Sequence, residues 1–162
     1  MVNVVEQESD SFLQNFLLLL KAAFTGIAVS IPDTANVSRS CLGFSALAAS
    51  YGITNSNIVI GTGNTAVTPT DYKLQNQITA MEHVPLLVVQ PTVPALNGSY
   101  IECMICSRSF NNRSGAEIDV NEIGICVIAS TYSILILRDV VAMIPVLDNQ
   151  TIQVAYKFRT AV

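Results

Sequence analysis

Apolar residues recur with the period of a helix near the start of the chain. The positions that share one helix face are Phe12, Phe16, Leu19, Leu20 and Phe24. Ser9, Asp10 and Ser11 precede them as candidate N-caps, and Gly26 follows as a candidate stop. The pattern predicts one helix over residues 11–25, whose apolar face is covered by the domain itself or by a neighbouring subunit.

Beyond residue 57 the pattern becomes that of β-strands. Residues 58–60 are a continuous apolar run, and residues 78–89 predict one long strand or a strand pair. Further strands are predicted over residues 100–110, 116–120, 122–129, 133–140 and 151–162. In the last of these, apolar and polar residues alternate, which predicts that Ile152, Val154, Tyr156 and Phe158 face the core.

Polar segments separate the predicted strands. Residues 111–115 (NNRSG) are predicted to form a hairpin loop, and residues 148–150 a turn. Pro91 and Pro94 keep their segment out of a central ladder. Residues 30–57 are rich in small side chains and predict only a short extended piece over 41–47.

These elements predict a single mainly β domain over residues 1–162. The expected architecture is an antiparallel β-sandwich, of jelly-roll or Greek-key type, with an N-terminal α-helix. The β core is expected over residues 58–162.

Charged residues are scarce, and this changes the picture from a free-standing domain to a subunit. Only 12% of the residues are charged and 51% are hydrophobic, whereas a soluble domain usually has about a quarter charged. No Asp, Glu, Lys or Arg occurs between Ser40 and Thr70. We expect other protein to cover much of the surface, as in a homo-oligomer.

The same composition disfavours several partners. The net charge is −4 and the eight basic residues form no run, so no nucleic-acid partner is expected. Residues 16–31 are too short and too broken for a convincing membrane span. Acidic residues precede them, unlike the basic start of a secretion signal, so we expect synthesis in a cytoplasm without export.

Four cysteines are present, and two of them form a CxxC pair. They are Cys41, Cys103, Cys106 and Cys126. The pair could indicate a metal or redox site. Cys103 and Cys106 lie in a predicted strand, however, where residues three apart point to opposite faces. We therefore predict buried, reduced thiols and no metal site.

Other candidate residues receive structural interpretations. Gly61 and Gly63 follow an apolar strand as in a phosphate-binding loop, but Ala66 occupies the position of the next glycine. A glycine turn at a strand end is the better interpretation. His83 lies beside Glu82 with no Ser-His-Asp or Cys-His spacing, so we predict a satisfied structural histidine rather than a catalytic base.

Two groups of charged residues are further candidates for sites. Glu117, Asp119 and Glu122 are the densest carboxylate group, but they lack the glycine and spacing of a calcium loop and predict a solvated hairpin face. Arg138 and Asp139 should point oppositely and anchor neighbouring loops or subunits from the interior.

Four sequons occur in the chain. Without an export signal, those at Asn36, Asn97, Asn112 and Asn149 indicate polar turns rather than glycosylation sites. No catalytic, cofactor-binding or metal-ligating residues are predicted, and no cofactor is expected.

Several segments resemble structural proteins of tailed-bacteriophage virions. They are IVIGTGNTA (58–66), TPTDYKL (68–74), SRSFNNRSG (107–115), IDVNEIG (118–124), LRDV (137–140) and NQTIQVAYK (149–157). The resemblance covers most of residues 58–162 and keeps their order, and its more specific parts are the Asn-x-x-Ser-Gly turn and the Arg-Asp-Val step. It implies a β-rich virion component with no catalytic residues to carry over.

The expected function is therefore a non-enzymatic virion protein, assembled in the host cytoplasm, that self-associates in a trimer or ring. It would contact other virion proteins in the tail (fibre, baseplate or neck) or decorate the head. An alternative is a host-surface module that binds a glycan or protein, with Tyr51, Tyr72, Tyr100 and Tyr132 as candidates. An exposed pocket with aromatic and acidic residues would favour that alternative. A small hydrolase is disfavoured by the missing triad.

Overall fold

The computed structural model describes the main chain of residues 2–3, 12–43, 53–89, 95–97 and 100–161. Side chains are described for 12–43, 53–88 and 104–158. The helix is α1, Gln14–Thr25. The strands are β1 Val2–Asn3, β2 Val29–Pro32, β3 Ser38–Cys41, β4 Asn57–Gly61, β5 Glu82–His83, β6 Leu87–Val89, β7 Ala95–Asn97, β8 Tyr100–Asn111, β9 Ile118–Ala129, β10 Tyr132–Val146 and β11 Thr151–Ala161.

Two antiparallel sheets pack face to face, which confirms the predicted mainly β fold with an N-terminal helix. In the first sheet β8 pairs with β11 on one side and with β5, β6 and β7 in succession on the other. In the second, β9 lies between β10 and β4. The two-residue β1 is an exception, because it pairs in parallel with β11.

Four consecutive strands are nested across the two sheets. β9 and β10 form a hairpin in the second sheet, while β8 and β11, which flank them in sequence, pair in the first. The chain therefore changes sheet after β8 and returns after β10. The prediction of a hairpin loop over residues 111–115 is wrong for this reason, since β8 and β9 belong to different sheets.

The two crossing segments are joined by Asn112. Its Nδ2 donates to the carbonyls of Ala116 and Val146, both at 2.7 Å, and its main-chain N–H donates to Gln150. The Asn149 N–H donates in return to the Asn112 carbonyl at 2.7 Å. The polar turn residues thus hold the two sheet crossings together, a task that the same residue types could equally perform in a hairpin.

The core lies between the sheets. Ile58 and Ile60 of β4 share it with Phe110 of β8, and with many further aliphatic side chains of β9, β10 and β11. Ile152, Val154 and Tyr156 are buried as their alternation predicts, and Phe158 packs against the core while half-buried. Residue Lys157, by contrast, is exposed. The register predicted for the last strand is confirmed.

The helix differs from its prediction in two respects. It begins at Gln14 after Leu13, which gives no side-chain cap, and the candidate caps at 9–11 lie outside the described residues. Gly26 ends it in the left-handed region, at φ 65°, as predicted. The buried face consists of Asn15, Leu19 and Ala22, whereas Phe24 is 86% exposed. The helix contacts β2 and β10, and its half-buried Phe16 and Leu18 also pack against the core.

Other elements also differ from the prediction in their presence or their boundaries. Residues 29–41 form the β2–β3 hairpin, which the sequence did not predict, and most of the extended piece expected over 41–47 lies outside the described residues. Residues 116–129 contain one strand instead of two. Asn97 lies in β7 rather than in a turn, while Asn36 and Asn149 occupy turns with positive φ. Pro91 and Pro94 lie outside the described residues.

Candidate functional site: the 62–76 loop and its buried charges

The loop after β4, residues 62–76, lies against the outer face of the second sheet. At the end of the loop the chain returns to β4, since Gln77 forms a bridge with Gly61 and the Ile78 N–H donates to the Ile60 carbonyl. A small apolar cluster of Val59, Leu74 and Leu135, with other side chains, packs beneath it. The loop is therefore a cover over the sheet.

Glu122 of β9 organises this loop. Its Oε1 accepts hydrogen bonds from the N–H groups of Gly63 at 3.1 Å and Asn76 at 2.9 Å. Its Oε2 accepts from Gln75 N–H at 3.1 Å and from Arg138 Nε at 2.9 Å. The Glu122 side chain is fully buried, and these four bonds occupy the acceptor sites of its carboxylate.

Two glycines make this approach possible. A Cβ atom placed on Gly61 or on Gly63 would lie 2.5 Å from Glu122 Oε1. The Gly-Thr-Gly segment is therefore required by the close approach of a carboxylate to the main chain. Gly61 is the last residue of β4, and residues 62–64 form no turn, so the predicted glycine turn is wrong. The glycines are required by a residue about sixty positions away, which the local sequence did not reveal.

Arg138 of β10 connects Glu122 to the middle of the loop. Its Nη1 donates to Asp71 Oδ2 at 2.8 Å, and its Nη2 donates to the Thr65 carbonyl at 3.2 Å. Opposite it in β9 is Gly124, where an added Cβ would lie 2.8 Å from the Leu137 carbonyl. Glycine thus permits the close packing of β9 and β10 beside the guanidinium.

Asp71 completes the network at the surface. Thr68 donates to it twice, from N–H to Oδ2 at 3.0 Å and from Oγ1 to Oδ1 at 2.6 Å. Partial burial raises the pKa of Asp71, but the hydrogen bonds from Thr68 and Arg138 outweigh this effect and hold it below its ordinary value. The carboxylate is therefore ionised at neutral pH and balances part of the Arg138 charge.

These contacts decide two predictions. Arg138 anchors a loop from the interior, as predicted, and Asp139 points to the other face, where it accepts a hydrogen bond from Tyr156 Oη at 3.1 Å. The solvated hairpin face predicted for the carboxylate group is wrong for Glu122, which is buried. Glu117 is exposed and Asp119 half-buried, so the three carboxylates do not form one group.

A second buried arginine lies between the sheets. Arg108 of β8 donates from Nη1 to the carbonyls of Ser56 and Ile58, at 3.0 and 3.2 Å. Its Nε donates to Val84 at 2.9 Å, and its Nη2 donates to Ile53. Among the described residues no carboxylate pairs with it, and burial lowers the pKa of this guanidinium. Its role is to hold two chain segments, residues 53–58 and the segment at Val84, against β8.

His83 is buried beside Arg108 and is not satisfied, contrary to the prediction. Neither ring nitrogen has a hydrogen-bond partner among the described residues, and the ring packs edge-on against Phe110 with centroids 5.0 Å apart. Burial and the Arg108 charge lower the pKa of His83 to about 4, although the main chain at Ile78 acts in the opposite direction. His83 is therefore a neutral core side chain at neutral pH.

Three of the four cysteine side chains lie within the described residues. Cys41, Cys106 and Cys126 are free and buried, and burial raises the pKa of Cys106 to about 11 and of Cys126 to about 12. They fit the predicted inert thiols. The β8–β11 register shifts at Cys103. This shift interrupts the alternation from which Cys103 and Cys106 were predicted to point to opposite faces. The side chain of Cys103 lies outside the described residues.

A shallow pocket of about 280 Å³ opens on the outer side of the loop. Its lining residues are Thr70, Asp71, Tyr72, Lys73 and Gln75. It brings one aromatic ring next to one carboxylate, as expected for the alternative binding function. Tyr132, another candidate, instead packs under the Arg39 guanidinium at 3.9 Å, while the side chains of Tyr51 and Tyr100 lie outside the described residues.

The remaining surface carries several large apolar side chains. We define the helix patch as Leu17, Phe24, Ile27 and Leu42, which are between 62% and 86% exposed. Leu17 and Phe24 lie seven residues apart on one side of α1. Ile27 and Leu42 flank the paired residues Val29 and Cys41, so both lie at the same end of the β2–β3 hairpin.

Within the described ranges, no group of three or more His, Cys, Asp or Glu side chains is placed to hold a metal ion. Nor does the described part of the chain include a helix with the length and apolar character of a membrane span. Comparisons with protein-family models, curated proteins and solved structures give no significant match to this chain.

Proposed function

We propose that this chain is a non-enzymatic structural protein of a tailed-bacteriophage virion, which self-associates and contacts other virion proteins. The sequence resemblance over residues 58–157 supports the class of protein, and the β-sandwich is compatible with it. The proposal places the protein in the tail or on the surface of the head, after assembly in the host cytoplasm.

The helix patch is the observation that carries the proposal. Phe24 is 86% exposed, and the other three residues of the patch exceed 60%. Contiguous exposed apolar surface marks an interaction site or leads to aggregation. In a chain with 12% charged residues, few charged side chains are available to solvate the surroundings of such a patch. Contact with other protein removes this surface from water.

The buried polar groups support the same function. Arg138 and Arg108 donate to carbonyl or carboxylate oxygens of the fold, and Glu122 accepts from main-chain N–H groups and from Arg138. Residues employed in this way stabilise a shape that a partner can recognise.

Self-association can be tested on the purified full chain. Light scattering coupled to size exclusion should show a defined oligomer, such as a trimer or ring. The double variant Leu17→Ser/Phe24→Ser should weaken association at least about tenfold. The matched control is Leu87→Ser, which removes an equally exposed leucine from β6. A monomer at high concentration, or equal loss in the control, would contradict the role of the patch.

The position in the particle requires a separate experiment. Virions labelled with antibodies against this chain and viewed by negative-stain microscopy should carry the label at the tail or over the head. Unlabelled virions from a host that produces the protein would contradict the virion assignment.

A host-surface binding module is the second candidate function. The observation that favours it is the pocket beside Tyr72, which combines an aromatic ring with the Asp71 carboxylate on a loop fixed by buried side chains. Binding residues are often carried on loops that a rigid scaffold positions. Purified chain that adheres to host cells, with adhesion lost in Tyr72→Ala, would establish this function.

A further inference from the structure

The outer side of the 62–76 loop has a fixed shape. Glu122 and Arg138, both buried in the sheet below, bind the loop at Gly63, Thr65, Gln75 and Asn76 and through the Asp71 carboxylate. A site built on a loop that is already ordered loses little conformational freedom when a ligand binds. The pocket beside Tyr72 is therefore preorganised.

The Asp71 carboxylate retains capacity for a ligand. It accepts three hydrogen bonds, two from Thr68 and one from Arg138, and a carboxylate offers about four acceptor positions. Oδ1 receives only the Thr68 hydroxyl, and the side chain is 21% exposed. The free acceptor position belongs to Oδ1, which can receive a hydroxyl hydrogen from a bound molecule.

The other lining groups complement this acceptor. Gln75 uses its Oε1 to accept from Thr65 N–H at 3.3 Å, and its amide NH₂ remains a donor. Tyr72 offers a half-buried ring, and the Lys73 ammonium lies 5.9 Å from its centroid, at the outer limit of a cation–π contact. An exposed lysine so weakly held can be displaced from the ring by a ligand.

These groups select the chemical class of ligand. The Asp71 carboxylate would repel a phosphate or carboxylate, and Lys73 and the nearby Arg138 would repel a small cation. An apolar peptide side chain would find no large aliphatic group among the described lining residues. A sugar ring matches all the groups, since its hydroxyls donate to a carboxylate and accept from an amide. Its C–H face also packs on the negative face of an aromatic ring.

We propose that the pocket beside Tyr72 binds one monosaccharide unit of a neutral glycan. Tyr72 supplies the stacking face, Asp71 Oδ1 accepts from a sugar hydroxyl, and the Gln75 amide donates to a second sugar oxygen. This inference rests on the second candidate function and identifies its ligand class, while it is independent of self-association.

Saturation-transfer NMR on the full chain tests the proposal with methyl glycosides of glucose, mannose, galactose and N-acetylglucosamine as probes. At least one glycoside should receive saturation through its ring protons. Tyr72→Ala should weaken that binding about tenfold, and Tyr72→Phe should retain most of it because the ring remains. Asn64→Ala, an exposed change elsewhere in the loop, is the matched control and should bind like the wild type.

Thermal unfolding of each variant shows whether the loop is intact. Failure of all four glycosides to bind the folded wild type would overturn the proposal, as would equal binding by wild type and Tyr72→Ala. AMP serves as a further probe, and Tyr72-dependent binding of AMP without any glycoside would assign the ring to a base and overturn it too.

The two proposals fail separately. An oligomer that binds no glycoside would refute the saccharide site and leave the structural function standing. A monomer that binds a glycoside through Tyr72 would refute self-association and support the saccharide site.

Discussion

Two buried arginines lie on opposite faces of one sheet and are stabilised in different ways. Arg138 lies on the outer face, paired with the carboxylates of Glu122 at 2.9 Å and Asp71 at 2.8 Å. Arg108 reaches the inner face from the opposing sheet and donates to carbonyls of Ile53, Ser56, Ile58 and Val84. Each is 1% exposed, so neither uses bulk water to solvate its charge.

The comparison shows what each environment permits. The outer network contains charges of both signs, and removal of one partner leaves another charge buried and unpaired. Arg108, on the inner face, is instead stabilised by main-chain carbonyl dipoles. Its unpaired charge, together with burial, disfavours the charged form of His83. Charge pairing should therefore dominate the stability of the 62–76 loop. As the pH falls, stability should decrease first through His83, between the sheets.

The largest effect is expected from Glu122→Ala. Arg138 would lose its buried partner and three loop N–H groups would lose their acceptor, so the free energy of unfolding should fall by about 3–5 kcal/mol. Urea unfolding measures the change. Glu117→Ala is the control, because this exposed carboxylate lies five residues earlier and should change stability by less than about 0.5 kcal/mol. Equal effects would show that the outer network contributes no special stability.

Acid should weaken the inner region through His83. The unfolded histidine binds a proton near pH 6.5, whereas the folded one does so only at about 4. The unfolded state therefore binds more protons in this window, and stability falls as pH falls through it, by about 3 kcal/mol in total.

The variant His83→Leu isolates this contribution. Its stability should change little between pH 6.5 and pH 4, while the wild type loses stability over the same interval. The pKa of Asp33 is lowered by a hydrogen bond from Val37 and by Arg39, and that of Asp71 is lowered as described above. These carboxylates lose their contribution at lower pH, below their unfolded values. Parallel pH curves for the two proteins would contradict the assignment to His83.

Arg108→Met should cost less than the loss of Glu122. The carbonyls that Arg108 holds would lose donors, at about 2 kcal/mol, but no opposite charge would be stranded. The variant should also reduce the acid sensitivity of His83, since a like charge is removed from its surroundings. Arg113→Met, at an exposed position, is the control for denaturant unfolding. A loss as large as that of Glu122→Ala would erase the distinction between the two arginines.

The smallest effect is expected from Asp71→Asn. This carboxylate is partly exposed, so its pairing with Arg138 should contribute no more than about 1 kcal/mol and should decrease with salt. Hydrogen exchange should become faster at the Thr68 N–H, which donates to Asp71. Asn64→Ala in the same loop should leave that exchange unchanged. A loss above that of Arg108→Met would make Asp71 a principal partner of the network.

Strands with a clear period were predictable from the sequence. The alternation over residues 151–158 gave the correct buried side chains, and the apolar run at 58–60 gave β4. The β2–β3 hairpin was missed because its second strand, Ser38–Cys41, is short and mostly polar. The sequence did not reveal that the domain itself leaves Phe24 exposed, since the width of a helix contact depends on what packs against it. Cover of Phe24 by a neighbouring subunit stays a prediction.

The candidate site was less predictable. Glu122 and its loop partners lie between 46 and 59 residues apart in sequence. No local pattern distinguishes this glutamate from Glu117, which is solvated. The Gly-Thr-Gly segment indicated a special main-chain requirement, but the sequence alone suggested a turn where the structure shows contact with a carboxylate.

The sequence by itself determined the mainly β character, the end of the helix at Gly26, the faces of the last strand and the scarcity of charge. These follow from local conformational preference and from the two-residue period of a strand. Only the tertiary structure decided that β8 pairs with β11 and that residues 111–115 cross between sheets. It also decided which charges are buried, because a charge leaves water only where distant segments together supply its partners.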